Sequence, residues 1–387
     1  MSAMLDVEDA GQTPTLKVTT AEPGIRHDQP NGALVVSLDF ELAWGVHDSA
    51  GSEGAYRGNL LGARDVVPRL LDLFVEFDVH ATWATVGYLF AHSREELEHY
   101  APESKPAYRN PALDPYRIQV GRGEKDDPLH FAPSLIQLIA SAPGQEIASH
   151  TFSHYYCLAE GQSIAEFAAD LRAAQAIGRA HGYALKSLVV PRRQNRVDYL
   201  PAIAAAGFTA YRSNEANWLN SPPLAATRNV VVRGLRMLDS YAPIYGATQV
   251  PWATTAPDAN GLVDVRESRF LRPVSSRLAR LEGLRFNRLA NAMRKAARTG
   301  TLFHLWWHPH NFGARPDENL SRLRSLLELR EELRLTHGFE AYSMAEVDYL
   351  ARQAHFNVGA PARGAGPKSA EPRPAYRTDK DDHKAAL

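Results

Sequence analysis

The sequence has little of three features that would fix its class at once: cysteine, long apolar runs and an excess of one charge. Its single cysteine, Cys157, excludes an intrachain disulfide. No run of 18 apolar residues is present, so the sequence predicts no transmembrane helix. The 43 basic and 44 acidic residues give a net charge of -1, so no strong overall field indicates a nucleic acid or an anionic membrane as partner.

The two ends also lack the apolar residues of a folded core. The N-terminal stretch has neither the basic nor the apolar region of a signal peptide, and we expect a cytoplasmic protein. Residues 1–31 are polar, and residues 357–387 are rich in Gly, Pro, Ala and charge. Such segments bury too little apolar surface to offset the entropy of ordering them. We therefore predict a flexible N-terminal tail, one domain at 32–356 and a disordered C-terminal tail.

Between the tails, strand-like and helix-like segments alternate. These segments are 33–38, 63–77, 79–89, 132–142, 146–150, 163–182, 187–190, 197–207, 208–213, 284–299, 301–307, 318–335 and 339–343, with a last helix from Ala345. About seven such units predict an α/β protein whose parallel sheet closes into a barrel. The stretch 214–282 is too long for a plain connection, and we expect it to carry short elements and to line a pocket.

The first strand ends in a pair of acids. The apolar run "ALVVSL" leads into Asp39 and Glu41, which share one face of an extended chain because side chains alternate along a strand. Phe40 points to the other face. Functional groups of parallel barrels gather where strands end, so both carboxylates are expected in the barrel mouth.

Two histidine clusters follow later strands in the same way. His150 and His154 stand four apart in "EIASHTFSH", and if this segment turns helically both rings lie on one side. In "TLFHLWWHPHNF", His308 falls at a strand end and shares a face with His304 and Trp306. Two imidazoles and one carboxylate form a facial metal site with open positions.

Each cluster alone has an ordinary explanation. Paired acids are usually solvated or salt-bridged, and a chain with 15 histidines contains chance spacings. The three clusters together favour a site, because each lies at the end of a predicted strand. A 2-His-1-carboxylate iron oxygenase is a formal alternative, but such sites usually lie on antiparallel β-helices, whereas this sequence alternates strand and helix.

The order Asp39-x-Glu41, His150-x3-His154 and His308-Pro309 resembles the polysaccharide deacetylase family, whose catalytic unit is the NodB homology domain. "ATWATVGYLF" and "VDYLPAIAAAGF" resemble two further segments of that family, so the resemblance spans roughly 33–350. It implies a distorted seven-stranded (β/α) barrel.

Two departures from the family pattern stand out. The family's acids are commonly adjacent, whereas Phe40 intervenes here, a spacing found in lipid-linked formamido-arabinose deformylases and some peptidoglycan deacetylases. The usual Arg-x-Pro motif lacks its arginine, because Val189 stands two residues before Pro191. Arg192 and Arg193 follow instead, so the group that steadies the base stays open.

The resemblance assigns roles to the clustered residues. It implies that Glu41, His150 and His154 hold a divalent metal, with Zn²⁺ expected, and that Asp39 is the general base. It also implies that a tetrahedral oxyanion is stabilised by the metal and by a backbone N–H near Arg192.

The same resemblance makes His308 the general acid, with His310 as its rival. The predicted activity is metal-dependent N-deacetylation of an N-acetylated amino sugar in a glycan or glycan precursor. The alternatives are a deformylase or another C–N amide hydrolase acting on a lipid-linked sugar, and a catalytically inactive barrel that binds glycans. Trp306 and Trp307 could form an acyl-sized wall, which favours acetyl over formyl.

Overall fold

The computed structural model describes residues 31–49, 54, 56–215 and 249–358, which build a parallel sheet surrounded by helices. Nearly all of the two predicted tails and the middle of 214–282 lie outside the described residues. Of the described helices, none is long and apolar enough to cross a membrane.

The elements alternate along the chain as the sequence predicts. The strands are β1 (Ala33–Phe40), β2 (Ala81–Thr85), β3 (Gln145–Ser149), β4 (Ser187–Val189), β5 (Ala210–Arg212), β6 (Val263–Asp264), β7 (Arg269–Phe270), β8 (Leu302–Trp307) and β9 (Glu340–Tyr342). The α-helices are α1 (Arg57–Glu76), α2 (Arg94–Tyr100), α3 (Pro133–Ser141), α4 (Ile164–Ala180), α5 (Leu200–Ala205), α6 (Glu282–Thr299), α7 (Pro316–His337) and α8 (Met344–Val358).

The named strands pair in parallel, in the order β6-β5-β4-β3-β2-β1-β8-β7, and β9 lies beside the first half of β1. β6 and β7 are two halves of the segment 263–270. The N–H of Val265 donates to the carbonyl of Tyr211 in β5, and the N–H of Ser268 donates to the carbonyl of His304 in β8. This segment closes the sheet, and counted as one strand it gives a barrel of seven. The predicted α/β fold is therefore confirmed.

The apolar core has two layers because side chains alternate along each strand. Leu34, Val36 and Leu38 of β1 pack outward against the helices, and Phe40 packs edge-on against Trp83 at a ring separation of 6.3 Å. A smaller cluster fills the barrel interior with compact side chains: Ala33, Val35, Ala84, Val189, Ala210, Val263 and Val265. Toward the mouth the inward positions become polar, as at Ser37 and Asp39 of β1.

Local sequence signals fix the helix ends. Ser163 caps α4 by accepting from the N–H of Glu166, whose side chain accepts from the N–H of Ser163 in return. Gly300 and Gly338 end α6 and α7 in the left-handed conformation, with φ of +62° and +63°. The predicted helices are correct in kind, with ends displaced by up to six residues, and α2 was not among them.

Candidate active site

β1 delivers two carboxylates to the mouth of the barrel. Asp39 lies near the end of the strand and Glu41 lies just beyond it, with 3% and 4% of their surfaces exposed. Leu42 then adopts a φ of +45° as the chain turns away. Because the carboxyl ends of parallel strands meet at one edge, the residues that follow β3 and β8 arrive at the same place.

Glu41 lies against both histidines of the H-x3-H segment. Its Oε2 is 3.2 Å from Nε2 of His150 and 3.1 Å from Nε2 of His154. These two separations are close to the roughly 3.3 Å expected between two donors of a tetrahedral ion with bonds of about 2.0–2.1 Å. One carboxylate and two imidazoles within 4.8 Å of one another thus fit a divalent metal.

The ionisation of these groups also suits metal binding. Burial alone would raise the pKa of Glu41, but His308, His150 and His154 outweigh burial and hold that pKa well below its usual value. Burial lowers the pKa of His154 to about 4. At neutral pH the carboxylate is therefore anionic and the His154 ring neutral, the forms that bind a cation.

The segment between the two histidines does not turn helically. The segment is irregular, and Thr151 and His154 have φ of +63° and +57°. These left-handed residues reverse the chain within one turn, and they bring the rings of His150 and His154 to 5.3 Å. The rings meet as predicted, but by a different backbone path.

A buried carboxylate holds this strained segment in place. Asp170 of α4 accepts the N–H groups of Phe152 and Ser153 at 2.7 and 3.1 Å, and it also bonds the Ser153 hydroxyl. The Nδ1 atom of His150 is 2.9 Å from the carbonyl oxygen of Val189. Both contacts fix the direction in which the histidines point.

Asp39 has a different partner, which the sequence analysis missed. Arg212, at the end of β5, donates to both carboxylate oxygens of Asp39 at 2.7 and 2.8 Å. Its guanidinium lies 4.4 Å from the centre of the Trp306 ring. Burial opposes ionisation of Asp39, but Arg212, together with His150 and His308, outweighs burial and lowers the pKa of the carboxyl.

Arg212 supplies the charge that the Arg-x-Pro motif lacks. Val189, which stands at the motif's arginine position, is the direct cross-strand partner of Arg212 in the pairing of β4 with β5. The arginine has therefore moved one strand along at the same level of the barrel. The sequence did offer one sign of this role. Arg212 stands near the carboxyl end of the predicted strand 208–213, on the same strand face as the small residue Ala210.

His308 reaches the space between the two acids. Its Nε2 is 3.4 Å from Oε1 of Glu41 and 3.8 Å from Oδ2 of Asp39, and 23% of its side chain is exposed. Its Nδ1 is 3.3 Å from Oδ1 of Asn311, whose amide N–H donates to the hydroxyl of Tyr56 at 3.0 Å. This chain of contacts orients the ring from behind.

His310 is placed less favourably than His308. Its Nε2 lies 4.0 Å from Oε1 of Glu41, and only 3% of its surface is exposed. Burial, aided by the neighbouring His308, lowers the pKa of His310 to about 3, so its ring is neutral at neutral pH.

Arg192 follows β4 with a left-handed φ of +56°. Its guanidinium donates to the carbonyl of Gly45 at 2.9 Å and pairs with Asp48, which ties the loop after β4 to the loop after β1. The side chain therefore does not serve Asp39, which leaves the backbone N–H as the group of interest at this position.

Residues 58–211 match the family model for polysaccharide deacetylases. The resemblance to the polysaccharide deacetylase family is confirmed. The predicted enzyme class, a hydrolase of carbon–nitrogen bonds other than peptide bonds, is confirmed with it. The region that matches the polysaccharide deacetylase model contains His150 and His154. Asp39, Glu41 and His308 lie outside this region in the sequence, but the fold brings their side chains close to the two histidines.

Several solved structures are similar to this chain at low sequence identity. A protein from Mycobacterium smegmatis assigned as a polysaccharide deacetylase is 15% identical, with a TM-score of 0.51 over 90% of this chain and 98% of that one. A protein from Pseudomonas aeruginosa, also assigned as a polysaccharide deacetylase, is 13% identical, with a TM-score of 0.47 over 84% and 91%. The allantoinase Puue is 14% identical, with a TM-score of 0.49 over 85% and 92%. No curated protein matches the sequence significantly.

Proposed function

We propose that the protein is a metal-dependent N-deacetylase that hydrolyses the acetamide of an N-acetylated amino sugar in a glycan or glycan precursor. The observation that carries this proposal is the division of partners between the two acids. Glu41 faces two imidazoles, whereas Asp39 is held on both oxygens by Arg212. This division supports Glu41 as the cation ligand and Asp39 as the group that takes a proton.

Glu41, His150 and His154 would hold the ion, and Zn²⁺ suits this mixture of imidazole nitrogen and carboxylate oxygen. An ion bound there would polarise the acyl carbonyl and ease the deprotonation of water.

The proton transfers belong to Asp39 and His308. As the C–O bond forms, Asp39 takes a proton from the attacking water, and Arg212 keeps this carboxylate ionised beforehand. As the C–N bond breaks, His308 gives a proton to the nitrogen, and acetate and a free amine leave. The 3.8 Å between Asp39 Oδ2 and His308 Nε2 supports this pairing of a base with an acid. A backbone N–H at Arg192 is the proposed donor to the oxyanion.

An aromatic wall supports acetyl as the acyl group. Trp306 faces inward, with its ring 4.7 Å from that of Phe270 and 5.8 Å from that of His308. Trp307 belongs instead to the outer core, where it stacks on Phe312. A site shaped for acetyl gains only about 1–3 kcal/mol from the methyl group, so it should tolerate formyl at a modest loss.

The test is acetate release from N-acetylated oligosaccharides by metal-loaded protein, beside formate release from matched N-formyl compounds. Acetate release that disappears in Asp39→Asn supports the proposal. A clear preference for the formyl compounds would reassign the protein as a deformylase. Binding of glycans by loaded wild-type protein without release of either acid would favour a glycan-binding barrel.

A further inference from the structure

A basic helix lies beside the barrel mouth. The segment 276–299, which comprises a short 3-10 helix (Ser276–Leu281) and α6, contains seven arginines and lysines and one acid, Glu282. Glu282 is buried and pairs with Arg285 at 3.1 Å. The exposed cations of this segment are Arg277, Arg280, Arg294, Lys295 and Arg298. Its solvent-facing side therefore has no carboxylate to balance them.

Two leucines stand among the first of these cations. Leu281 is 38% exposed and Leu284 is 55% exposed. Arg277 and Arg280 stand three apart in the 3-10 helix, which kinks at Leu278, and Leu281 and Leu284 stand three apart where this helix passes into the first turn of α6. We call Arg277, Arg280, Leu281 and Leu284 the basic–leucine face.

The basic–leucine face lies at the same end of the barrel as the candidate site. β7 runs parallel to β8, with Phe270 opposite Trp306, so the chain after Phe270 leaves the sheet at its carboxyl edge. The N–H of Val274 donates to Oδ1 of Asn319, near the start of α7, which follows β8. α6 then runs back to Gly300, where β8 begins. Its first turn is thus at the mouth and its last turn at the opposite edge.

We propose that the basic–leucine face binds the surface of an anionic phospholipid bilayer and turns the barrel mouth toward it. Cations near such a surface are attracted to anionic headgroups, each by about fivefold in affinity, and exposed leucines enter the boundary between headgroups and acyl chains. A soluble polyanion would engage the arginines and leave the leucines in water. Resting on the proposed function, this arrangement names the substrate class as an N-acetylated amino sugar on a lipid carrier.

Cosedimentation of the full chain with vesicles tests the face without any turnover. The protein should sediment with vesicles that contain phosphatidylglycerol and not with vesicles of phosphatidylcholine alone. Arg277→Glu with Arg280→Glu should lower binding at least about 20-fold, the loss expected for two surface cations. Leu281→Asn with Leu284→Asn should also lower it. Arg294→Glu with Lys295→Glu, at the far end of α6, and Leu335→Asn, which changes a 73% exposed leucine at the end of α7, are matched controls that should bind far better.

Three outcomes would overturn the proposal: equal sedimentation with neutral vesicles, loss in the arginine variant without loss in the leucine variant, or equal loss in the controls. The second of these would indicate a polyanion instead of a bilayer. The lipid-linked substrate is tested separately, by comparing rates on soluble and membrane-embedded substrates. The arginine variant should keep its rate on a soluble N-acetylated oligosaccharide and lose rate on a vesicle-embedded substrate. Vesicle binding by a protein that hydrolyses neither substrate would reject the proposed function and leave the bilayer-binding face standing.

Discussion

At the scale of single residues, Asp39 and Glu41 differ in their neighbours although only Phe40 separates them. The guanidinium of Arg212 satisfies both oxygens of Asp39, whereas Glu41 faces imidazole nitrogens on both of its oxygens. A carboxylate that faces imidazole nitrogens can share a cation with them, and a carboxylate fixed by one arginine keeps a lone pair for a proton. The two acids should therefore fail in different ways.

We expect Asp39→Asn to retain the metal and to lose turnover by roughly 10²–10⁴-fold, the usual contribution of a general base. Glu41→Gln should lose the metal itself, because it removes the charged ligand. Metal content by elemental analysis and acetate release should be measured on the same preparations. Exchanged phenotypes would show that the two roles are reversed.

Arg212 allows a sharper test, because its cross-strand partner marks where the family places its arginine. Arg212→Val should lower kcat by roughly 10²-fold, the scale of a misplaced reacting group, since it removes the partner that orients Asp39 and leaves that charge buried and unpaired. Arg212 lowers the pKa of Asp39, so its loss should raise that pKa and move the acid limb of the pH–rate profile to higher pH.

Adding Val189→Arg to Arg212→Val returns a guanidinium to the neighbouring strand and should recover part of the rate. Arg212→Lys is the matched control, because it keeps a charge without the two-pronged geometry. If the double variant folds, as shown by circular dichroism, and stays as inactive as Arg212→Val, the equivalence of the two positions is rejected.

The acids and histidines of the site could be predicted from the sequence, whereas Arg212 could not. The acids and histidines were readable because each follows a strand, and strand ends converge in any parallel barrel. Arg212 was not, because its contact with Asp39 depends on the register of β4 against β5 and on three intervening strands. Register comes from packing across the sheet and has no local signal.

At the scale of elements, the segment between His150 and His154 depends on α4. Two non-glycine residues in the left-handed region cost energy, of order 1–3 kcal/mol each, so the surrounding structure must hold them. Asp170 does this from α4 with three hydrogen bonds. Burial nonetheless raises the pKa of Asp170 to about 6.

This pKa predicts a pH-dependent contribution to stability. The folded-state pKa lies above the unfolded value near 3.9, so folding favours the protonated acid. The contribution is fully present below about pH 4 and is lost as the pH rises through about 6, a change of roughly 3 kcal/mol. Asp170→Asn cannot titrate, so wild type should lose its advantage over this variant between pH 4 and 7.

Denaturant unfolding with a chelator present should measure this difference without metal linkage. Glu166→Gln, at the exposed cap of the same helix, is the control and should show no comparable change in slope. An Asp170→Asn difference that is constant or grows with pH would show that the folded carboxyl is ionised throughout.

Element type was largely predictable and loop path was not. Strong apolar periodicity located α4 and β8 within a few residues, because burial of one face decides both. The spacing of His150 and His154 suited a helical turn, but the left-handed φ of Thr151 and His154 shows another path. Closure of the barrel by 263–270 was also unreadable, because two residues of pairing on each side leave no periodic pattern.

At the scale of the whole molecule, a balanced net charge conceals a polarised surface. The total of -1 gave no reason to expect a membrane. The cations of 276–299 lie on one short segment of the chain. Because salt screens charges over about 8–10 Å, the local charge of this segment matters more than the total charge. The net charge of the whole chain is therefore a poor guide to binding partners, and the charge within about 10 Å of a surface is the relevant quantity.

Metal binding should raise the free energy of unfolding of the whole domain, because the proposed ligands follow β1 and β3, which both pair with β2. A ligand that binds the native state alone stabilises it by about 2.7 kcal/mol at a hundredfold excess over its Kd. At roughly 2–4 °C per kcal/mol, removal of the ion by a chelator should lower Tm by several degrees, and re-addition should restore it.

The variants separate this linkage from general destabilisation. His150→Ala should lower Tm once and then show no response to chelator or metal, because a ligand is missing. His304→Asn changes an equally buried histidine, bonded to Ser37 and placed outside the ligand cluster, so its lower Tm should still rise with metal. A metal response that survives in His150→Ala would place the ion elsewhere and remove the basis for assigning Glu41 and Asp39 their separate roles.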